Sequence, residues 1–376
     1  MKKCMRFKSI VLIVGFVQVI IMGCITTAQP AEPEITVNLP GIGDFTIWQS
    51  EVIYTQGQRV TRNLNWWPDG NIGAVNNGDG TYTFYAANGG RVAMTEGTLN
   101  KPFGSSTRIL NIQNQIEAND YIAGGPVYRV DENTLLLFYH LEKSPGGDGR
   151  RFYSMLGAAV STTRNNRGHF IDFKDLGIII RSNRPFRDNA ISAVEMLGAA
   201  FAEYDGYLYV YFSDYIDGPY FWNRNQLAVA RASVYDIREA INNNTAPVFM
   251  KYYRGGFTEN GLGGMSSQLE IGNPSIRWLD ISFNSYLNKF LMVAAQHIAS
   301  DQVDLYLAVS DDGINWSRRI LIANDRGEKF YPSIIGLGDD PRITGEEFYV
   351  YYTHSIIGAW DRWRDARLVR RRIILN

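Results

Sequence analysis

The sequence predicts an all-β chain wound into a five-bladed β-propeller, and three observations carry the prediction. Five aromatic and β-branched runs each follow a turn, alternating runs follow each of those, and a proline-led motif occurs four times. Up-and-down strand units repeated at a long period bury their faces against one another, which a closed ring of blades achieves. A β-sandwich competes, but five matched hairpins at that period favour the ring.

The aromatic runs are Thr81–Tyr85 after Gly78-Asp79-Gly80, Leu135–Tyr139 after Asp131-Glu132-Asn133, Tyr207–Phe212 after Asp205-Gly206, Phe290–Val293 after Leu287-Asn288, and Phe348–Tyr352 after Thr344-Gly345. With turn chemistry ahead of it, each reads as the second strand of a hairpin. Third strands are expected around Arg91–Met94, Gly157–Ser161, Leu227–Arg231, Leu305–Ser310 and Leu368–Arg371, where small residues suit a crowded centre. Fourth strands are expected around Leu176–Ile180 and Ile320–Ile322. The unit is roughly 55–80 residues long. Too little chain follows Arg372 for a fourth strand in blade five, so Phe45–Trp48 and Val52–Tyr54 are expected to complete it and close the ring. One short helix is expected at Val234–Asn242, with Ser233 as its N-cap.

Composition agrees with a packed β domain. The chain has 376 residues, 45% of them apolar, and its 22 Tyr, 19 Phe and 8 Trp supply a core while 36 Gly supply turns. Charge is balanced at 37 Lys+Arg against 38 Asp+Glu, which argues against a nucleic-acid partner. The local exception, Arg362 through Arg372, reads as a solvated edge strand whose charges discourage pairing.

The N-terminus reads as a targeting segment. Lys2, Lys3, Arg6 and Lys8 precede an apolar run from Ile10 to Met22 that ends at Gly23-Cys24, the layout of a secretory signal over residues 1–23. Ile21-Met22-Gly23-Cys24 resembles the lipobox of bacterial lipoproteins, although Met22 departs from the small or β-branched residue usual there. That resemblance implies cleavage before Cys24, a lipid on the new N-terminal cysteine and a place in the bacterial cell envelope, at the outer membrane or cell surface. Residues 24–40, with Pro30, Pro33 and Pro40, then read as a tether, and residues 41–376 as one propeller domain, expected to be monomeric. Cys4 is the only other cysteine, so the mature chain is expected to use neither disulfides nor thiol chemistry.

The proline motif gives the first candidate site residue. Read as the opening of a strand, it runs Trp67-Pro68-Asp69-Gly70, Gly125-Pro126-Val127-Tyr128, Asn273-Pro274-Ser275-Ile276 and Tyr331-Pro332-Ser333-Ile334, and only the first copy puts an acid after the proline. Because the first strand of each propeller blade lines the channel, these positions meet at one mouth. Asp69 in blade one, Glu195 near the start of blade three and Glu270 ahead of blade four then point three acids toward the axis. The plainer reading of Asp69 is a turn cap before Gly70. Gly261–Met265 lacks the lysine and the strand–helix setting of a phosphate loop. His140, His297 and His354 share no short metal spacing, so no metal site is expected.

Five blades, the Pro68-Asp69 lead-in and the turn Ser310-Asp311-Asp312-Gly313-Ile314-Asn315-Trp316 together resemble the family 43 and family 32 glycoside hydrolases. The resemblance covers the chain from about residue 41 and is that of a distant relative. It implies a carbohydrate ligand in an axial pocket and three carboxyl groups: a base on blade one, a tuning Asp on blade three and a general acid Glu on blade four. Asp69 matches the base; Glu195 stands where the family has Asp, and Glu270 in Glu270-Ile271-Gly272-Asn273-Pro274 stands where it has Glu-Gly-Pro. Trp66, Trp67, Tyr121, Trp222 and Tyr331 become candidates for stacking on sugar rings, and Arg184 and Arg187 for holding a carboxylate or sulfate on a sugar. No cofactor is expected; some relatives hold an axial calcium ion, which no residue pattern here demands. Arabinose- or xylose-containing glycans are the first substrates implied, and a non-catalytic glycan-binding or scaffold propeller is the alternative.

Overall fold

The computed structural model describes residues 33–104, 107–117, 119–143, 153–183, 200–215, 225–269, 276–357 and 362–376. They form five antiparallel blades, each counted outward from the axis. Blade one is Gly73–Asn76, Tyr82–Ala87, Val92–Gly97 and Thr107–Leu110. Blade two is Tyr121–Asp131, Thr134–Lys143, Tyr153–Ser161 and Lys174–Ile180. Blade three is Ala200–Tyr204, Tyr207–Tyr215, Asn225–Ser233 and Met250–Tyr253, with Gly256–Asn260 outermost. Blade four is Ile276–Asn284, Lys289–Ala299, Gln302–Ser310 and Ile320–Ala323. Blade five begins with Glu328–Gly336, Glu347–Ser355 and Arg367–Leu375.

The unbroken apolar runs in the sequence follow from this stacking. Successive residues of a strand face opposite sides of the sheet, and here each side meets another blade. In blade one, Tyr85 packs with Leu137 and Tyr139 of blade two, while its neighbour Phe84 packs with Tyr351 and Leu368 of blade five. In blade two, Phe138 turns the other way, to Phe201 and Val210 of blade three. The strand Tyr153–Ser161 is buried at every position, so the polar half of the usual alternation has no role there. Near the axis side chains give way to backbone: a Cβ at Gly73 would lie 2.2 Å from the Gly125 carbonyl oxygen.

The ring closes as expected, with chain from the N-terminal end completing blade five. Arg367–Leu375 pairs on one side with Glu347–Ser355, and on the other with Gly43–Trp48 and Glu51–Tyr54. Pro33–Leu39 adds a further strand outside Gly43–Trp48, so the sheet takes up residues expected to be tether. The arginine-rich strand is therefore internal, which corrects its reading as a solvated edge. Arg370 and Arg371 are buried; Arg370 donates to Glu51 and Asn100, and Arg371 to Asp325 (2.9 Å) and Glu34.

Two other features depart from expectation. Pro126 and Pro332 do not open their strands; each lies inside one, where the register slips between Gly124 and Val127 and between Phe330 and Ser333. A proline has no N–H for the ladder, so it suits a bulge. The helix Val234–Asn242 forms with Ser233 as its cap, but a second, Gln56–Val60, was not anticipated. Its Thr55 and Gln58 form a capping box.

At the far end of the inner strands the axis is held by a buried ion pair. Arg342 makes a bidentate pair with Asp280 of blade four (3.0 Å each) and donates to the Phe201 carbonyl of blade three, while Asp280 also accepts the Ile334 amide of blade five (2.7 Å). Removing one member leaves an uncompensated buried charge. Arg342→Ala is expected to cost about 3–5 kcal/mol in denaturant unfolding; a loss below about 1 kcal/mol would show that the pair does not hold these blades together.

Candidate active site

The channel is blocked partway along by the residues that follow Asp69. Asn71 is fully buried, and its Nδ2 crosses to the Leu279 carbonyl of blade four (2.8 Å). The Ile72 amide donates to Ser333 Oγ of blade five (2.8 Å), and a Cβ at Gly125 of blade two would fall 2.1 Å from the Asn71 oxygen.

Asp69 lies just ahead of these contacts, half-buried, on the turn that leads from the cis Trp67–Pro68 peptide into Gly73–Asn76. Its amide donates to the Ala87 carbonyl (2.9 Å), which ties the turn to the second strand. Each carboxylate oxygen accepts one phenol: Oδ2 from Tyr121 (3.0 Å) and Oδ1 from Tyr331 (3.0 Å). Loss of solvent raises its pKa above the usual aspartate value. The two phenols and Arg362 oppose that rise, and Glu142 adds to it. The Tyr121 hydroxyl is itself driven upward, by burial first and the Asp69 charge next, so it stays a donor.

Distant elements converge to make this arrangement. Tyr121 opens the inner strand of blade two, while Tyr331 sits at the bulge of blade five with φ 55°, a left-handed backbone that a bulky residue rarely adopts. Such a conformation costs on the order of 1–3 kcal/mol and marks a side chain aimed by its surroundings. The lead-in to Asp69 is gripped by Arg59, fully buried, whose guanidinium donates to the carbonyls of Asn65 (2.9 Å), Trp67 (3.3 Å) and Ala366 (2.7 Å). Burial pushes that arginine down to about 10.

Aromatic and charged residues surround the two phenols. Trp278 packs edge-on to Tyr331 at 5.3 Å, and Arg362 lies over the rings of Trp278 and Phe330 at 5.5 and 5.2 Å. The Arg362 Nε is 4.0 Å from the buried carboxylate of Glu328. On the blade two side the His140 ring lies edge-on to Tyr121, and its Nε2 is 2.8 Å from Glu142 Oε1. Trp66 is 47% exposed at the rim; its ring covers Gly89, while Gly90 abuts Tyr121.

Of the expected site residues, the structure thus joins Asp69, Tyr121 and Tyr331 directly and sets Trp66 beside them. Tyr121 and Tyr331 donate their hydroxyls to the Asp69 carboxylate. Trp67 is corrected: it is fully buried against Phe103 at 4.5 Å, where no sugar can reach it, because the Arg59 grip turns it inward. Glu195, Glu270, Arg184, Arg187, Trp222 and Cys24 lie outside the described residues. Arg59, His140 with Glu142, Trp278 and Arg362 were missed. His140 and Glu142, two apart on a strand, share one face and could have been paired from spacing.

Among the described residues no group of three or more His, Cys, Asp or Glu could hold a metal ion. Asp69 with its two fixed phenol donors is a set suited to accepting a proton from a bound hydroxyl or water. Each phenol favours the ionised form of Asp69, so Tyr331→Phe and Tyr121→Phe are expected to move the Asp69 carboxyl titration, followed by carbon NMR, to higher pH. A shift to lower pH in both would mean that these hydrogen bonds do not stabilise the charge.

No family model matches the chain, and no curated protein matches it. Solved structures do resemble it. The α-L-arabinofuranosidase from Lactobacillus brevis superposes with a TM-score of 0.50 at 11% identity, covering 84% of this chain and 90% of that one. The catalytic domain of the GH62 α-L-arabinofuranosidase from Coprinopsis cinerea gives 0.49 at 11%, covering 81% and 90%. An α-L-arabinanase from Cellvibrio cellulosa gives 0.47 at 15%, covering 80% and 89%. At such identities the likeness is one of architecture: this chain is a five-bladed β-propeller, the fold it shares with the Lactobacillus brevis structure.

Proposed function

We propose that the protein is a glycoside hydrolase acting on a polysaccharide or oligosaccharide, with Asp69 as the base. One observation carries the reading: the Pro68-Asp69 lead-in of blade one delivers a carboxylate to a point between blades two and five, where two phenols hold both of its oxygens. Glycosidic cleavage needs one ionised and one protonated carboxyl group on opposite sides of the bond. In this reading Asp69 takes a proton from the attacking water as oxygen bonds to the anomeric carbon. Glu270 gives a proton to the departing glycosidic oxygen, and Glu195 tunes the pair. Trp66, 47% exposed, offers a ring face to the sugar. Arabinose- and xylose-containing glycans are the first to try, since relatives of this architecture include an arabinanase solved with arabinohexaose. Family 43 enzymes invert the anomeric centre and family 32 enzymes retain it.

The test is reducing-sugar release from arabinan, xylan, fructan and sulfated polysaccharides by the wild-type and Asp69→Asn proteins. The variant is expected to lose about 10²–10⁴-fold in rate. Its folding is checked by the same pKa argument. Because the folded-state pKa of Asp69 is raised, its stabilising contribution is full below the unfolded pKa and is lost as pH rises through the folded one. Asp69→Asn should therefore gain stability relative to wild type as pH climbs from acidic to neutral. Binding without release from any of these glycans would replace the hydrolase with a glycan-binding propeller.

We further propose that the protein is anchored to the bacterial envelope by a lipid on Cys24, as its lipobox-like surroundings suggest. No helix among the described residues is long and apolar enough to cross a membrane. Palmitate labelling of the wild-type chain, lost in Cys24→Ser, is the expected result; an unlabelled wild-type chain would sink the idea.

A further inference from the structure

A cleft of about 190 Å3 opens between blades one and two, at the end of the inner strands away from Asp69. Asn76 and Thr83 of blade one form one side. The other is formed by Arg129, from the far end of the inner strand of blade two, and by Arg164, Arg167 and His169 on the hairpin that joins Thr163–Arg164 to Phe170–Ile171. Three guanidinium groups thus border one small space.

Their charges are unequally compensated. Arg167 is paired with Glu96 (2.9 Å), whose carboxylate also lies 3.9 Å from the His169 ring. Arg164 is held over the Phe170 ring at 4.1 Å, and its hydrogen bonds go to the neutral carbonyls of Gly168 (2.9 Å) and Glu132. The Arg129 side chain makes no hydrogen bond or ion pair among the described residues. Asp79, whose charge acts on His169, is already engaged by Thr81 (2.6 Å). Two cations therefore border the cleft with no carboxylate bonded to either, although like charges repel unless an anion stands between them.

The chemistry of the missing partner follows from the donors. A guanidinium presents its N–H groups as a planar fork that matches a carboxylate, sulfate or phosphate, and charge-assisted bonds of this kind are roughly twice as strong as neutral ones. Sites for drug-sized ligands run to about 300–1,000 Å3, so a cleft of this size suits one anionic group and not a length of glycan. We propose that this cleft is a binding site for a small oxyanion, free or carried as the substituent of an acidic sugar, separate from the Asp69 site. It stands whether or not the chain is a hydrolase.

Calorimetric titration of the full chain at low ionic strength tests it, with sodium sulfate, sodium phosphate, glucuronate and glucose 6-sulfate as ligands and glucose as the neutral control. Saturable binding of one or more anions, but not of glucose, is expected, weakening as salt is added. Tighter binding of glucose 6-sulfate or glucuronate than of the inorganic ions would assign the site to a sugar-borne anion, and the reverse order to a free one. Arg129→Gln should weaken binding by roughly tenfold or more. Arg129 is exposed, so its replacement leaves the fold intact, and Arg164→Gln supplies a second variant. Asp69→Asn should leave the affinity unchanged. No saturable binding of any anion, or equal binding by wild type and both arginine variants, would overturn the proposal.

Discussion

Everything in this molecule depends on closing the ring. The inner strands reach one axis only when blade five is completed by chain from the opposite end of the sequence, through pairs such as Ile47 with Ile373 and Val52 with Val369. An open ring would expose both the ladder of Arg367–Leu375 and the apolar faces of blades five and one. The arginines of that strand serve the closure. Arg370 reaches Glu51 and Arg371 reaches Glu34, so charges near the two ends of the domain are paired across the seam.

The site inherits its precision from that closure. Asp69 belongs to blade one, Tyr121 to blade two and Tyr331 to blade five, so the two phenols approach the carboxylate from the blades on either side of it. Desolvation pushes the carboxyl toward its neutral form, while the phenols and Arg362 favour the charged one. The opposition sustains a carboxylate that is both enclosed and a better proton acceptor than an ordinary aspartate. Strain is spent at the same place, in the left-handed backbone of Tyr331.

Much of the architecture was legible because strand period and turn chemistry are local properties. All five second strands and all five third strands formed where aromatic runs and Gly- or Asn-bearing turns placed them, and the Val234–Asn242 helix formed behind its serine cap. Position along the sequence misled in two places. The terminal arginines were read as an edge because closeness to the C-terminus says nothing about which strand will cover them. Pro126 and Pro332 were read as strand openers because a missing N–H is equally compatible with a bulge inside a strand.

The sequence alone determined the repeat, the closure and the singular acid after Pro68, since each is written in neighbouring residues or in their spacing. Tertiary structure decided what surrounds that acid. Arg59 grips the loop, Trp67 turns inward, and Tyr331 becomes a donor to Asp69 from 262 residues away. The cleft at Arg129 was likewise invisible, because its cations come from an inner strand and a hairpin set against another blade. Such neighbourhoods have no period in the sequence: they arise from which strands the ring brings side by side.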